Sequence, residues 1–179
     1  MVTKPLLTVK EYVTLDEPAG VRYELSNGEL IVAPSSSHRH NDIRDRLNVC
    51  LRNFPGLEAL GVISSETDVQ LAGDTVRRPD VCFYCAGHLA GVDLDVVPLP
   101  IAPDLVIEIV SRNDRADDLL LKVFQYLEAG ARAVWLMYPK YPACLPVYSR
   151  KTRTGGSRRG LRRQIRGACT HSRSFYSVE

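Results

Sequence analysis

The run PDLVIEIV at residues 103–110 constrains this chain more than any other feature. It is almost continuously apolar and rich in β-branched side chains, without the alternation of a strand that has one face in water. Such a run is a strand covered on both faces, so it requires a sheet with further layers packed above and below it. One residue does not fit that description. Glu108 is a carboxylate in the middle of the most apolar stretch of the chain, and a buried carboxylate without a partner costs several kcal/mol. The strand must therefore be built around whatever answers that charge.

Periodicity and turn signals place the remaining elements. Residues 8–16 put Val9, Tyr12 and Val13 near one face, with Thr8 as the cap of a short helix. Residues 21–33 form two apolar-rich arms around Asn27-Gly28, a pair that tolerates the positive φ angles of a type I′ hairpin turn. From about 40 to 54, Ile43, Leu47, Cys50, Leu51 and Phe54 step by three and four, and Pro55-Gly56 closes that helix. Two strand-like runs follow, at 61–71 and 75–84. Residues 114–129 predict a second helix, with Leu119, Leu120, Val123, Phe124 and Leu127 on one side, ended by Gly130. Residues 133–138 read as one more strand. The order predicts an α/β chain with a mixed (α+β) sheet flanked by helices.

Charge divides the chain in two. Residues 1–128 carry 12 Lys and Arg against 20 Asp and Glu, a net −8, whereas residues 129–179 carry 11 against 1, a net +10. The second part includes SRKTRTGGSRRGLRRQIRG, which reads as a basic, poorly packed tail. The expected division is a domain over 1–138 and a tail over 139–179. With 179 residues, the chain has room for one hydrophobic core. No apolar run is long enough for a membrane span, because Asp104 and Glu108 interrupt the best candidate. The first ten residues lack the order of a signal peptide, so the expected compartment is the cytoplasm, and five cysteines in no framework fit reduced thiols.

The residues able to carry chemistry are Asp80 after Pro79, Glu108 on the next strand, and Lys122 on the helix after that. If the strands of Asp80 and Glu108 are neighbours, their carboxylates converge. Two carboxylates with water suit a hard divalent cation, Mg²⁺ or Mn²⁺, and a nearby lysine can orient or deprotonate a water or stabilise charge on a phosphate. Each residue also has a plainer reading. Asp80 can be a turn residue, Lys122 a lysine laid along a helix surface, and a strand acid such as Glu24 can face solvent. Cys82-x-x-Cys85 with His88 suggests zinc, but positions three apart on a strand point to opposite faces and no second ligand pair has the right spacing. His38 and His40 flank a serine-rich loop, which leaves a place near the mouth of a cleft or, as the plainer reading, a solvent-exposed pair. No phosphate-binding loop, Gly-x-Ser-x-Gly or dinucleotide fingerprint is present, so phosphotransfer, acyl transfer and hydride transfer have no sequence support.

The order of these motifs carries a resemblance. YELSNGE at 23–29, the proline–serine segment at 34–37, His40 and Ile43, RPD at 78–80, PDLVIEIVS at 103–111, then Lys122 and Tyr126 together resemble the PD-(D/E)XK nuclease superfamily. More narrowly, they resemble the bacterial putative restriction endonuclease family, once catalogued as a domain of unknown function, over about residues 6–138. The resemblance implies a restriction-endonuclease-like fold and Mg²⁺- or Mn²⁺-dependent hydrolysis of DNA phosphodiesters. Asp80 and Glu108 would be the metal carboxylates, with Glu24 as the upstream acid that completes the metal shell. The superfamily lysine would sit at 110, which is Val110 here, and its place is taken by Lys122. DNA is the implied partner, a membrane is not, and a homodimer is left open. Beyond residue 138 the pattern departs from the family, whose expected strands are replaced by the arginine-rich segment. The alternative is a non-catalytic nucleic-acid-binding module on the same fold, its basic tail gripping phosphates. Such a binder has no need to gather three carboxylates where a polyanion docks.

Overall fold

The structure, a computed structural model, describes residues 5–141 and 143–149. A short helix, α1 (Val9–Tyr12), starts on Thr8, whose side chain and that of Glu11 cap one another's backbone. The hairpin β1 (Val21–Ser26) and β2 (Glu29–Pro34) turns on Asn27 and Gly28, at φ 50° and 84°, as a type I′ turn requires. Next come α2 (His38–Arg52), capped by the Ser37 side chain, and a one-turn helix, α3 (Leu57–Leu60). The strands β3 (Gly61–Ser64), β4 (Val69–Gln70), β5 (Val76–Arg77), β6 (Val81–Cys85) and β7 (Leu105–Ile109) follow. The described chain ends with α4 (Ala116–Glu128), β8 (Ala133–Tyr138) and β9 (Ala143–Tyr148).

These strands make two sheets where the sequence suggested one. The first has the order β2-β1-β5-β4 and the second β3-β6-β7-β8-β9. The reason is that both strand-like runs, 61–71 and 75–84, break in the middle. In the first, Glu66 takes a left-handed conformation (φ 55°) and is held there by Arg22 and Arg44. In the second, Pro79 lacks the N–H a central ladder needs, and the preceding Arg78 is clamped by Asp68 and Glu17. Each run therefore begins in one sheet and ends in the other. Asp80 is the first residue after the second crossing.

The strand β7 lies at the centre of the larger sheet, antiparallel to β6 and parallel to β8, with α4 as the crossover between β7 and β8. All five of its residues are buried. Val106 packs with Tyr84, Val134 and Leu136 against Val123 and Tyr126 of α4, while Leu105, Ile107 and Ile109 pack with Trp135 and Met137 against Leu47 of α2. Strand alternation puts Glu108 on the same face as Val106, the α4 face. A small third cluster, Tyr12, Leu25 and Val76, seats the first sheet.

Two expectations change. On α4, Leu120 and Phe124 are exposed, and the inward stripe is Leu119, Val123, Tyr126 and Leu127. The helix is turned so that Lys122 and Tyr126 reach the polar centre beneath it. The second change is the boundary at 138. Strand β9 pairs with the whole of β8, from Ala133↔Tyr148 to Tyr138↔Ala143, and Cys144 and Val147 pack onto the two core layers. The sheet thus continues past the expected end of the domain, while the arginine-rich part of the tail lies outside the described residues. Among the described residues, no helix is long and apolar enough to cross a membrane, and no cysteine forms a disulfide.

Gly61 opens β3 where it crosses onto the larger sheet, and a Cβ there would lie 1.9 Å from the Tyr84 carbonyl oxygen. Gly61→Ala should therefore cost about 3 kcal/mol or more, as overpacking against rigid backbone does. Gly73→Ala, with φ +60° but open space around it, should cost only the ~1–2 kcal/mol of the left-handed conformation. Urea unfolding of both variants checks the order; equal losses would mean that the β3–β6 pairing does not hold as described.

Candidate active site

Where the two sheets meet, β1, the β5–β6 crossing, β7 and α4 bring a group of charged side chains into the interior. Glu24, Arg77, Asp80 and Glu108 are all buried. The position of each follows from its element. Glu24 is the fourth residue of β1, and Arg77 ends β5, the neighbour of β1. Asp80 directly precedes β6. The β6–β7 register pairs Val81 with Ile107, and its continuation by one residue sets Asp80 opposite Glu108. The Asp80 charge is near enough to raise the Glu108 carboxyl, while its own contacts run to the Ile109 N–H and to His40 on α2.

The carboxylates are held in different ways. Lys122 Nζ lies 3.0 and 2.9 Å from the two Glu24 oxygens, Arg77 Nη1 donates to Oε2 at 2.8 Å, and the Arg78 N–H donates to Oε1 at 3.2 Å. Both oxygens of Glu24 are thus engaged. Arg77 is fixed in turn by Ser26 Oγ at 3.1 Å and by Gln125 Oε1 at 2.6 and 2.8 Å. The Asp80 Oδ2 accepts from the Ile109 N–H at 2.7 Å and lies 3.2 Å from His40 Nε2. Glu108 Oε1 accepts from the Tyr126 hydroxyl at 2.8 Å. Among the described residues, no hydrogen bond engages Asp80 Oδ1 or Glu108 Oε2.

The charges of this cluster do not balance. Three buried carboxylates (Glu24, Asp80 and Glu108) face two cations, Arg77 and Lys122. Burial pushes the Glu108 carboxyl up to about 8; Lys122 opposes the shift, and the charges of Asp80 and Glu24 add to it. Burial alone would also raise Glu24, but Lys122 and Arg77 outweigh it and hold that carboxyl below its ordinary value. Burial would lower the Lys122 amine, yet Glu108 and Glu24 raise it instead, so it remains a cation. Burial and then the Glu108 charge keep the Tyr126 hydroxyl protonated. Glu108 therefore holds its proton near neutral pH in the metal-free protein, and Glu108 and Asp80 are the two acids of the cluster with an uncommitted oxygen.

The surrounding fold has relatives. A family model described as "Uma2: Putative restriction endonuclease" matches residues 9–158. The chain belongs to that family. The Uma2 match extends past β9, in agreement with a sheet that continues beyond residue 138. Among solved structures, the chain is similar to a crystal structure described as a putative nuclease belonging to DUF820 from Anabaena variabilis. The two share 18% identity over 81% of each chain, with a TM-score of 0.70, so the likeness is one of fold, the restriction-endonuclease-like fold. No curated protein matches the chain. Family and fold together support nuclease function in general.

Of the residues singled out by sequence, Asp80, Glu108 and Lys122 come to one place, as does Glu24. The expected metal role of Glu24 is not reflected in its contacts, because both oxygens are taken up by cations and a backbone N–H. Among the described residues, no three acids, histidines or cysteines are grouped as a metal shell. Cys82 is buried, its thiol pushed up to about 12 by burial, while the Cys85 backbone N–H, His88 and Arg132 converge on Asp104 instead. Three residues of the site were missed. Arg77 and Gln125 carry no local signal. His40 does carry one: it stands three residues before Ile43 and so extends the inward stripe of α2. His38 is exposed, but the His40 side chain is only 13% exposed.

The raised Glu108 pKa has a definite consequence for metal-free protein. Its contribution to stability is fully present below the ordinary carboxyl value of 4.5 and is lost as pH rises through about 8, because the folded state then gives up a proton it holds more tightly than the unfolded chain. Glu108→Gln keeps an acceptor for Tyr126 without the charge. Thermal melts in EDTA should show the parent losing stability relative to Glu108→Gln between pH 5 and 9. A constant difference across that range would place Glu108 in a solvated environment.

Proposed function

We propose that this protein is a metal-dependent endonuclease of the PD-(D/E)XK type that hydrolyses DNA phosphodiesters. The observation that carries the proposal is the juxtaposition of Asp80 and Glu108, each with one oxygen uncommitted, in a buried cluster whose neighbouring charges push the Glu108 carboxyl up. That donor set fits a hard divalent cation, Mg²⁺ or Mn²⁺, completed by water and by the substrate. Asp80 and Glu108 would hold it. When bound, it would polarise the phosphate and lower the pKa of a coordinated water.

The protein's own groups would do the rest. Lys122, kept charged by Glu108 and Glu24, is suited to orient the attacking water or to stabilise charge on the phosphate, and poorly suited to act as a base. Glu24 is better read as the residue that aims Lys122 than as a metal ligand, because it meets the amine with both oxygens. Arg77, anchored on Ser26 and Gln125, holds Glu24 from the other side. The Tyr126 hydroxyl fixes one oxygen of Glu108 and leaves the other uncommitted.

The test is Mg²⁺-dependent cleavage of plasmid DNA by the full chain, with Asp80→Ala as control. Parent protein should nick or linearise the plasmid only with the cation, and Asp80→Ala should not. Binding without cleavage by well-folded parent protein would favour the non-catalytic module instead. Lys122→Ala should lose about 10² to 10³ in single-turnover rate, equivalent to ~3–4 kcal/mol of transition-state stabilisation. Its affinity for uncleaved DNA should change little, since one phosphate contact among several contributes modestly. Cleavage by Lys122→Ala at the parent rate would remove the lysine from the reaction.

A further inference from the structure

We infer that His40 is a positioning residue for the Asp80 carboxylate, fixing the oxygen that would face the cation; this rests on the reading of Asp80 as a metal carboxylate. Two groups converge on Asp80 Oδ2 from different parts of the fold, one as a hydrogen-bond donor and one as an ion-pair partner. The Ile109 N–H reaches it from β7 at 2.7 Å, and His40 Nε2 from the first turn of α2 at 3.2 Å. A carboxylate held by one donor at one oxygen can still pivot about that bond. A second partner from a separate element fixes its plane and so directs Oδ1, which accepts no hydrogen bond among the described residues, to one side.

His40 is itself built to stay in place. It follows the Ser37 cap, whose Oγ accepts from the His40 backbone N–H at 3.3 Å. Ile43 and Leu47, three and seven residues on, pack the same helix face onto the core. The ring's Nδ1 is buried with no partner among the described residues. Burial disfavours a charged ring, yet the Asp80 carboxylate favours a proton on it and raises the His40 imidazole above its ordinary value, which keeps a proton on Nε2 facing Oδ2. The helix that covers one face of the larger sheet thereby sets the geometry of an acid at the end of β6.

Mn²⁺ binding to the full chain, read from the EPR signal of the free ion, tests this apart from cleavage. Asp80→Ala should abolish binding, and His40→Ala should weaken it about 10- to 100-fold. His40→Gln, whose amide N–H can occupy the place of Nε2, should recover most of the loss. A merely structural histidine would lower the melting temperature in EDTA without moving Mn²⁺ affinity. If His40→Ala does not fold, His40→Leu, which fills the site without a donor, takes its place, and Gln binding well above Leu supports the proposal. Equal Mn²⁺ affinity in parent, Gln and donor-less variants, with Asp80→Ala inactive in binding, overturns the role of His40 alone. Absence of Mn²⁺ binding by the parent overturns the metal reading of Asp80 and the role of His40 with it.

Discussion

A carboxylate in the middle of a strand covered on both faces cannot be left to itself, and much of this molecule is arranged around Glu108. Its strand lies at the centre of the larger sheet, and its side chain shares the α4 face with Val106. The helix above is turned so that Tyr126 donates to it, and Lys122 comes within its field. Lys122 is aimed by Glu24, Glu24 is held by Arg77, and Arg77 by Ser26 and Gln125. Removing one member leaves another charge buried without its partner, which is where the large destabilisations arise. The cluster still carries more acids than cations.

The two sheet crossings give this cluster its shape. Glu66 and the Arg78-Pro79 pair mark the places where the chain passes between sheets, and both places are tied by ion pairs from elsewhere in the sequence, Glu66 to Arg22 and Arg44 and Arg78 to Asp68 and Glu17. Because of the second crossing, Arg77 belongs to the sheet of Glu24, and Asp80 to the sheet of Glu108. Two residues of chain, Arg78 and Pro79, thus connect the part of the site around Glu24 and Lys122 to the part around Asp80 and Glu108. The exposed Leu120 and Phe124 on α4 follow from the same arrangement. The helix cannot turn Lys122 and Tyr126 inward and keep those two buried as well.

Much of this was open to reading in the sequence, though unevenly. The Asn27-Gly28 hairpin, α2, α4 and the buried β7 were each legible from turn chemistry and periodicity, since those signals are local. The anomaly of Glu108 was visible because it violates its own surroundings. Asp80 and Lys122 were legible as chemistry-bearing types in a recurring order. The breaks at Glu66 and within residues 78–79 were not, because alternation looks the same on either side of a change of sheet. Strand β9 was hidden by Pro146, by the prolines that precede it and by the charge change after residue 128, which suggested a tail.

The sequence by itself determined which segments are helix or strand, that one strand must be sandwiched, and that an acid sits at its heart. The tertiary structure alone decided what each acid meets. Glu24 and Arg77 are 53 residues apart, Glu24 and Lys122 are 98 apart, and His40 reaches Asp80 across the sheet from another helix. Periodicity reports on which face of an element is apolar over a few residues. The choice of an ion-pair partner depends on strand order and register, which is settled only when the whole core packs. That is why Glu24 could be recognised as a site residue, while its commitment to Lys122 could not.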